Sequence, residues 1–413
     1  MRILEGSPAE KRVALLQRRG SRFDEVEPKV RRILADVRKC GDRALRRYGE
    51  QWDGLKPKQA LRVSKEEMQQ ALDSVSREFR SALEEAAANI RRFCEWQKPQ
   101  EWRRESEGIE VGQLVRPLGS VGCYVPGGRY PLPSTLLMTV IPAQVAGVRE
   151  IRVVSPKPRP ETLAAAAMLG VTEFYRVGGA QAIAALAYGT KSLPRVDKIV
   201  GPGNLYVTAA KRLVAFACAI DMLAGPTEVV IVAHDGDARF IAADLVAQAE
   251  HDPEALAVFI STERKLAKAV VEASTRAAEG NATAQSSLGA NGVALVAASR
   301  QQAMEWANRI APEHITVRRE DVERVTNAGS IFVGDYSPQA VGDYASGPNH
   351  VLPTAGAARY RGGLSVFDFV KLIAIQELSR KGVAGIAPIV VPLAEAEGLR
   401  AHAESVRVRC AHA

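Results

Sequence analysis

The sequence predicts an α/β protein that contains two incomplete, Rossmann-like modules with parallel sheets, a helical N-terminal segment and a C-terminal tail. From about residue 114, short apolar segments end at Gly or Pro and are followed by alanine-rich helical patterns. A second series with the same alternation begins after residue 227. Because short strands that alternate with helices are typical of parallel sheets with crossover connections, both series predict this architecture.

The N-terminal segment is predicted to be helical. Residues 1–18 are short and amphipathic, and we expect them to form an arm. Residues 22–50 and 64–98 carry apolar stripes at helical spacing, and the first helix is expected to break near Gly41. We interpret both stripes as core packing, because charged residues occupy the opposite faces.

The two α/β series give the order of the remaining elements. The first series predicts strands at 120–125, 150–154, 173–177 and 198–200, with helices at 161–169 and 181–188. The second predicts strands at 228–233, 257–261, 293–296, 314–317 and 330–333, with helices at 237–250, 263–278 and 299–310. A long functional loop is predicted at 336–364, which is rich in Gly, Pro and Ser, and terminal helices at 365–380 and 392–407.

Composition restricts the classes of function. At 413 residues, with 46% apolar and 25% charged side chains, the chain is typical of a soluble enzyme with two or more domains. The net charge of +8 does not come from basic runs with interleaved aromatic residues, so we do not expect nucleic-acid binding. No apolar run approaches the roughly 18 residues of a membrane span. Five scattered Cys and a start without a signal-peptide core favour a reducing cytoplasm.

The end of one predicted helix carries a polar stripe. Asp244, Gln248 and His251 fall at i, i+4 and i+7 and therefore share one face. Gln248 and His251 are three residues apart, so both can point at one ion. A solvated polar face is the alternative interpretation, because such stripes are common on surface helices.

The placement of histidine supports a site. The chain has only six His, and four of them lie near carboxylates or amides. Imidazole, carboxylate and amide oxygen form a ligand set that is compatible with zinc. Neither HExxH nor CxxC occurs, so a metal site would have to be assembled from distant segments. The four pairings are Glu250 with His251, Glu313 with His314, Asn349 with His350, and Glu397 with His402.

Three glycine-containing turns follow predicted strands, at 124–128, 177–181 and 200–204. At the carboxyl end of a parallel strand, Gly allows backbone N–H groups to approach a phosphate, and the next helix N-terminus adds favourable partial charge. The GxGxxG fingerprint is missing. The turns therefore favour a nucleotide or another phosphate ligand, and plain strand–helix turns are the alternative.

Longer motifs occur in a fixed order from the 124–128 turn to the tail. They are Gly178-Gly-Ala-Gln-Ala-Ile-Ala184, Gly201-Pro-Gly-Asn204, Ala224-Gly-Pro-Thr-Glu228, Gln248-Ala-Glu-His251, Ala311-Pro-Glu-His314, Gly342-Asp-Tyr-Ala-Ser-Gly-Pro-Asn-His350 and Glu397-Gly-Leu-Arg-Ala-His402. With them the chain resembles the histidinol dehydrogenase family over nearly its whole length. Two positions depart slightly: Thr227 stands where Ser is also common, and Ala374 stands where a small hydroxyl residue is expected.

The resemblance implies a zinc-dependent enzyme that oxidises L-histidinol to L-histidine through histidinal, in two NAD-dependent steps that end histidine biosynthesis. It assigns Glu313 and His314 as the acid–base pair. The implied zinc ligands are Gln248, His251, Asp343 and His402. The substrate site is implied to contain these four ligands together with Thr227, His314, His350 and Glu397. The implied NAD contacts are Tyr124, Gln181 and Asn204.

The resemblance also implies a homodimer with one zinc ion per subunit. The tail of one subunit would help to complete the other's site, so that Glu397 and His402 act in trans. The expected parts of the chain are the arm (1–18), a split α/β domain with the catalytic and metal residues (19–123 and 228–364), an NAD-binding α/β domain (124–227) and a dimer-forming tail (365–413).

These roles agree with simple chemistry. An alcohol loses a proton as its hydride leaves, and His314 suits this task because an unperturbed imidazole titrates near pH ~6.5. Glu313 is our candidate for activating the water that adds to the aldehyde. Successive side chains of a strand point to opposite faces, so two groups can serve two steps. We expect zinc to position the substrate's amine and imidazole rather than to polarise the reacting oxygen.

Three other functions remain open at this stage. A related dehydrogenase for another alcohol is disfavoured by His350 and Glu397, which suit an amine- and imidazole-bearing substrate. A zinc hydrolase would leave the three glycine turns without a role. A non-catalytic scaffold would leave the pairings of His with carboxylates unexplained.

Overall fold

A computed structural model of the protein describes residues 1–20, 23–127 and 131–411. Its strands are β1 (Arg2–Glu5), β2 (Arg62–Val63), β3 (Trp102–Ser106), β4 (Ile109–Pro117), β5 (Ser120–Tyr124), β6 (Glu150–Val154), β7 (Glu173–Tyr175), β8 (Lys198–Val200), β9 (Ala219–Ile220), β10 (Glu228–Val232), β11 (Leu256–Ser261), β12 (Val293–Val296), β13 (His314–Val317), β14 (Ser330–Val333) and β15 (Val370–Leu378).

The helices alternate with these strands through most of the chain. They are α1 (Gly6–Gln17), α2 (Phe23–Cys40), α3 (Asp42–Trp52), α4 (Lys65–Ser74), α5 (Arg77–Gln97), α6 (Pro133–Ala146), α7 (Pro160–Met168), α8 (Gly179–Tyr188), α9 (Leu205–Val214), α10 (Ala238–Ala249), α11 (Arg264–Ala277), α12 (Ala282–Ala290), α13 (Arg300–Ile310), α14 (Gln339–Tyr344), α15 (Arg380–Ala396) and α16 (Arg400–Cys410).

Two six-stranded sheets form the framework of the described residues. Sheet A has the order β1-β12-β11-β10-β13-β14, and all its neighbouring strands are parallel. Sheet B has the order β2-β7-β6-β5-β8-β9, and only the short edge strand β2 runs antiparallel to its neighbour. The prediction of an α/β fold with two parallel-sheet modules is confirmed.

Helices cover both faces of each sheet, which explains the continuous apolar runs of the central strands. In sheet A, every residue of β10 and β11 is buried. Helices α1 and α13 pack on one face of this sheet, and α10, α11 and α12 pack on the other. On sheet B, α4 to α7 share one apolar core, and α2, α3, α8 and α9 share the second.

The N-terminal segment packs differently from our expectation. The expected arm contains β1, which pairs in parallel with β12 at the edge of sheet A. Helices α2 to α5 lie on sheet B, although we expected 19–123 to group with 228–364. Apolar stripes show that a helix is covered, but they do not show by which sheet. The helix break at Gly41, where φ is +52°, is confirmed.

The tail contains a strand that the sequence did not predict. Residues 370–378, expected to be helical, form β15 and pair antiparallel with β4 over nine residues. β4 also pairs with β3, which gives a three-stranded sheet. The helix prediction was wrong because the strand partner of this segment lies far earlier in the chain. No helix within the three described ranges is long and apolar enough to cross a bilayer.

Candidate active site

The candidate pocket lies between the amino ends of two sheet A strands and the carboxyl end of a sheet B strand. Thr227 immediately precedes β10, Glu313 immediately precedes β13, and Pro202 follows β8. The pocket encloses about 210 Å³. It brings together seven residues that the sequence proposed for the site: Thr227, Gln248, His251, Glu313, His314, Asp343 and His350.

Glu313 is a buried carboxyl group that is hydrogen-bonded through one oxygen. Its Oε2 accepts from the Thr227 hydroxyl at 2.6 Å and from the Glu228 backbone N–H at 2.8 Å. Burial raises the pKa of Glu313 to about 8, although these two donors lower it. The carboxyl group therefore changes its protonation state near neutral pH and is a stronger base than an exposed carboxylate.

His314 is held by one ring nitrogen. Its Nδ1 lies 3.2 Å from the Glu228 carbonyl oxygen, and a carbonyl can only accept, so Nδ1 carries the proton. In the neutral ring, Nε2 then has a free lone pair, and it lies 3.8 Å from Asp343 Oδ1. Burial lowers the pKa of His314, while the charge of Asp343 opposes that shift. The ring is thus prepared to accept a proton at Nε2.

Gln248 and His251 come from the end of α10. Because α10 crosses back over sheet A, its last turn lies at the amino ends of the strands. Gln248 is 3% exposed, and its Nε2 donates to the Thr227 hydroxyl, which leaves Oε1 as the acceptor for a ligand. His251, one residue beyond the helix cap, is exposed at the pocket. The polar stripe of this helix therefore faces a site at its last turn.

Asp343 and His350 come from the predicted long loop, which contains the short helix α14. The His350 ring bridges two elements: its Nδ1 lies 2.7 Å from the Asp343 carbonyl oxygen, and its Nε2 lies 3.3 Å from the Thr135 hydroxyl in α6. Burial lowers the pKa of His350. His350 thus fixes the position of the segment that carries Asp343 at the pocket wall.

The three residues assigned to NAD lie at the carboxyl end of sheet B. The Tyr124 hydroxyl accepts from the Gly179 N–H at 3.1 Å, and Gln181 Nε2 donates to Asp53 Oδ2 at 3.1 Å. Asn204 caps α9 by accepting from the N–H groups of the second and third residues after it. Gly128, in the first glycine turn, lies outside the described residues.

A second pocket, of about 390 Å³, opens beside these turns. Its wall carries both carboxylates and cationic groups, and the latter can bind phosphate. Burial raises the pKa of Asp53, a residue that the sequence analysis did not select. The residues that line this pocket include Asp53, Gly127, Lys157, Arg159 and Arg176.

Glu397 and His402 do not line the pocket of their own chain. They lie at the end of α15 and in α16, and both are exposed. Within the described part of the chain, no cluster of three or more His, Cys, Asp or Glu side chains is arranged to hold a metal. The substrate and metal residues proposed for the site are therefore split between a pocket and a distant tail.

The sequence matches the model of the histidinol dehydrogenase family over residues 16–410. The chain belongs to the histidinol dehydrogenase family. It is 46% identical over 407 residues to histidinol dehydrogenase from Methanosarcina barkeri, covering 95% of this chain and 93% of that one. The relative from Bacillus cereus strain ATCC 14579 is 46% identical over 399 residues, with 94% and 93% covered.

Solved structures agree with this membership. Histidinol dehydrogenase from Elizabethkingia anophelis superposes with a TM-score of 0.94 at 35% identity, covering 99% of this chain and 98% of that one. An acetylating aldehyde dehydrogenase from Geobacillus thermoglucosidasius superposes with a TM-score of 0.50 at 12% identity, over 90% and 95%, which is a likeness of fold alone. Membership of the histidinol dehydrogenase family makes this protein an oxidoreductase.

The pocket residues fit a zinc ion by their donor chemistry. Gln248, His251 and Asp343 offer an amide oxygen, an imidazole and a carboxylate, and all three line the same pocket. Three protein donors leave coordination positions for a fourth ligand and for substrate. The fourth expected ligand, His402, does not line this pocket in its own chain.

Sequence reasoning missed two residues that support Glu313 and His314, the expected acid–base pair. The backbone of Glu228 binds both Glu313 and His314, while its side chain pairs with Arg19. In the sequence, Glu228 stands out only as the last residue of the motif at 224–228, and Arg19 belongs to none of the motifs. An acidic residue at the start of a fully apolar strand was the available signal, since such a carboxylate requires a partner.

Proposed function

We propose that this enzyme oxidises L-histidinol to L-histidine through L-histidinal and reduces two NAD per histidine, as the last steps of histidine biosynthesis in the cytoplasm. The observation that carries the proposal is the His314 imidazole, whose unprotonated Nε2 faces Asp343 in a pocket shared with Gln248, His251 and Glu313. The names of the curated relatives support the same activity.

The proposed reaction balances over two oxidations. In the first, the alcohol loses a proton and transfers a hydride to NAD⁺, which gives histidinal, NADH and H⁺. Water then adds to the aldehyde carbon and forms the hydrate. In the second oxidation, the hydrate transfers a hydride to another NAD⁺ and releases two protons, which leaves the carboxylate.

His314 is the base for the alcohol proton in this proposal. Its Nδ1 proton is directed to the Glu228 carbonyl, so only Nε2 can accept a proton from substrate. When Nε2 becomes protonated, Asp343 Oδ1 at 3.8 Å stabilises the resulting charge. The low pKa that burial gives to His314 keeps the ring neutral before the reaction, as a general base requires.

Glu313 is the group that activates water for addition to the aldehyde. Thr227 and the Glu228 N–H occupy its Oε2, so Oε1 is the oxygen available to a water molecule. Because its pKa is raised to about 8, the carboxylate withdraws a proton from water more readily than an exposed Glu. Glu313 and His314 therefore serve successive steps from adjacent positions.

Gln248, His251 and Asp343 are the zinc ligands in this proposal, with His402 of a second copy as the fourth. When bound, zinc supplies a template for the amine and imidazole of the substrate. Glu397 of the same second copy binds the substrate amine. Thr227 and His350 complete the wall from the chain that carries the acid–base pair.

The tail supports a homodimer. Several apolar side chains of α15 and its neighbours are exposed, including Ile389 at 61%, Leu393 at 61% and Leu399 at 43%. Exposed apolar surface of this kind is typical of a protein interface, and a homodimer buries it symmetrically. A tail that crosses to the other subunit brings Glu397 and His402 to that subunit's pocket.

NAD is proposed to bind along the carboxyl end of sheet B, between the two pockets. Lys157 and Arg159 line the second pocket and are the cations proposed to bind the phosphate groups, whereas Arg176 on the same wall is bonded to Glu67. Tyr124, Gln181 and Asn204 fix the three turns over which the dinucleotide lies. Without the glycine fingerprint, we expect shallow binding, which suits an enzyme that exchanges NADH for NAD⁺ while histidinal stays bound.

One assay tests substrate, cofactor and metal together. NADH formation is followed at 340 nm with histidinol and NAD, with and without a chelator, and histidine is measured by chromatography. We expect two NADH per histidine, loss of activity with chelator and recovery with zinc. Oxidation of simple alcohols in preference to histidinol, or NAD-independent hydrolysis, would replace this proposal with a different enzyme class.

A further inference from the structure

We propose that Arg19 is a positioning residue for the Glu313–His314 pair and acts through Glu228. This inference rests on the proposed function, because it takes that pair as the acid–base machinery. Arg19 does not line the pocket; it lies in the connection that follows α1 and forms hydrogen bonds with Leu16, Glu228 and Ile310. Its effect on catalysis must therefore pass through the residues that it binds.

The main chain of Glu228 holds both groups of the pair. Its N–H donates to Glu313 Oε2 at 2.8 Å, and its carbonyl oxygen lies 3.2 Å from His314 Nδ1. One peptide segment thus fixes the free oxygen of the carboxyl group and the tautomer of the imidazole. A rotation or small shift of Glu228 would disturb the acid and the base at the same time.

Three groups hold the Glu228 side chain. Arg19 Nε binds Oε1 at 2.7 Å, Arg19 Nη2 binds Oε2 at 2.5 Å, and the Ala355 N–H donates to Oε1 at 2.9 Å. The Glu228 side chain is only 3% exposed. Without this guanidinium, the buried Glu228 carboxylate would be an unpaired charge, which is energetically costly. Glu228 would then have to move or become protonated.

The same guanidinium also reaches the segment that leads to Glu313. Arg19 Nη1 donates to the Ile310 carbonyl oxygen at 2.9 Å. Ile310 ends α13 and is followed by Ala311, which adopts a left-handed conformation with φ +51°, an unfavourable state for a residue with a Cβ. Arg19 therefore joins Glu228, at the start of β10, to the turn before β13, the strand that begins at the pair.

The fork geometry makes Arg specific for this position. Only a planar guanidinium can bind both carboxylate oxygens and donate to a carbonyl on its third nitrogen. Lys would keep the charge but could not make all three bonds with these directions. Because displacement of a catalytic group by about 1 Å can cost 10²-fold in rate, loss of the fork should lower kcat.

The test is a kcat and KM comparison of three variants in the zinc-loaded full-length protein. Arg19→Gln should lower kcat for histidinol oxidation by roughly tenfold or more, whereas both KM values and bound zinc stay within about twofold. Arg19→Lys should give an intermediate kcat. The control is Arg18→Gln, which removes the same charge from the adjacent exposed residue and should behave as wild type.

Each outcome decides for or against Arg19. Wild-type kcat in both Arg19 variants overturns the inference, and so does a fall in activity explained by lost zinc, a raised KM or a smaller folded fraction in thermal unfolding. If Arg19→Gln does not fold, the Arg19→Lys kcat decides alone. Absence of histidinol oxidation by the wild-type protein would instead contradict the proposed function, so the two failures are distinguishable.

Discussion

At the scale of single residues, hydrogen bonds to the backbone of Glu228 determine which atoms of Glu313 and His314 are free for chemistry. Glu313 and His314 are ordinary side chains, but one bonds the Glu228 N–H and the other bonds the Glu228 carbonyl. This arrangement leaves Oε1 and Nε2 for chemistry. Burial then raises the pKa of one group and lowers that of the other. The two shifts in opposite directions are typical of a pair with separate acid–base roles.

His314→Gln should lower kcat by about 10² to 10⁴, because the base for the alcohol proton is lost. Bound zinc should remain, since His314 is not a proposed ligand. The measurement is steady-state histidinol oxidation together with metal analysis. His234→Gln is the control, because His234 is a buried His that bonds Thr262 away from the pocket, and its kcat should not change. Equal activity in the two variants would rule out His314 as the base.

Glu313 should make stability depend on pH. Its pKa is about 8 in the folded chain and near the ordinary 4.5 when unfolded, so its stabilising contribution is complete below pH 4.5 and disappears as pH rises through 8. The free energy of unfolding of Glu313→Gln, minus that of wild type, should therefore increase between pH 4.5 and 8. Urea denaturation of metal-free protein measures this difference, with Glu84→Gln at an exposed position as the control. A flat difference for Glu313 would contradict the raised pKa.

At the scale of elements, the ends of strands and helices decide where chemistry occurs. Ligands of open α/β sheets bind at the carboxyl ends of strands, and the glycine turns of sheet B obey that rule. In sheet A, however, the proposed acid–base pair lies at the amino end of β13, next to the amino end of β10. Helix α10 returns across the sheet and places Gln248 and His251 at the same end. The periodicity of α10 predicted a shared polar face, but not the end of the sheet at which that face lies.

Asp343→Asn tests the contribution of α14 to the metal site. We expect roughly a tenfold or greater loss of zinc affinity and a higher KM for histidinol, because a charged donor is replaced by a neutral one. Metal analysis after dialysis and a KM titration give the two readouts. Asp335→Asn, in the exposed turn after β14, is the control. Full zinc content and activity in Asp343→Asn would make the ligand assignment wrong.

Asn204→Ala tests the third glycine turn. The change removes the cap of α9 as well as a proposed NAD contact, so about 1 kcal/mol of stability should be lost along with NAD affinity. Asn281→Ala removes the cap of α12, which accepts one backbone N–H rather than two, and controls for stability. NAD titration by fluorescence should show weaker binding only for Asn204→Ala. Unchanged affinity would exclude Asn204 from the NAD site.

At the scale of the whole molecule, the two parallel-sheet modules meet at opposite strand ends. The carboxyl end of sheet B and the amino end of sheet A enclose the pocket, so a hydride acceptor bound to sheet B as proposed would lie near the proposed acid–base pair. The tail begins with β15 in the three-stranded sheet and continues in α15 and α16, most of whose residues are exposed. A homodimer in which each tail completes the other subunit's site would explain two observations. It would bury the exposed apolar side chains of the tail, and it would bring Glu397 and His402 to a pocket.

Complementation tests the shared tail. Chains with His314→Gln and chains with His402→Asn should each be inactive, because one lacks the base and the other lacks a ligand. Co-expressed, half of the dimers are mixed, and each mixed dimer combines one intact pocket with one intact tail. Activity should recover to about a quarter of wild type by this statistical pairing. No recovery in purified mixed dimers would mean that each tail serves its own chain.

Much of the site was accessible from sequence because its chemistry lies in continuous motifs. Gln248-Ala-Glu-His251 and Ala311-Pro-Glu-His314 each name two proposed functional residues, and their motif order indicated the family that the comparisons then showed. The register of β15 against β4 and the Arg19–Glu228 pair involve residues far apart in sequence. Local periodicity contains no information about such partners.

The sequence by itself determined the α/β alternation, the break at Gly41 and the family, because each depends on residues that are neighbours along the chain. Only the tertiary structure decided which sheet the N-terminal helices cover, at which strand ends the pocket opens, and that Glu397 and His402 lie away from it. These features depend on contacts between distant segments. Burial of apolar faces favours such contacts strongly but does not specify, from the pattern alone, which faces meet.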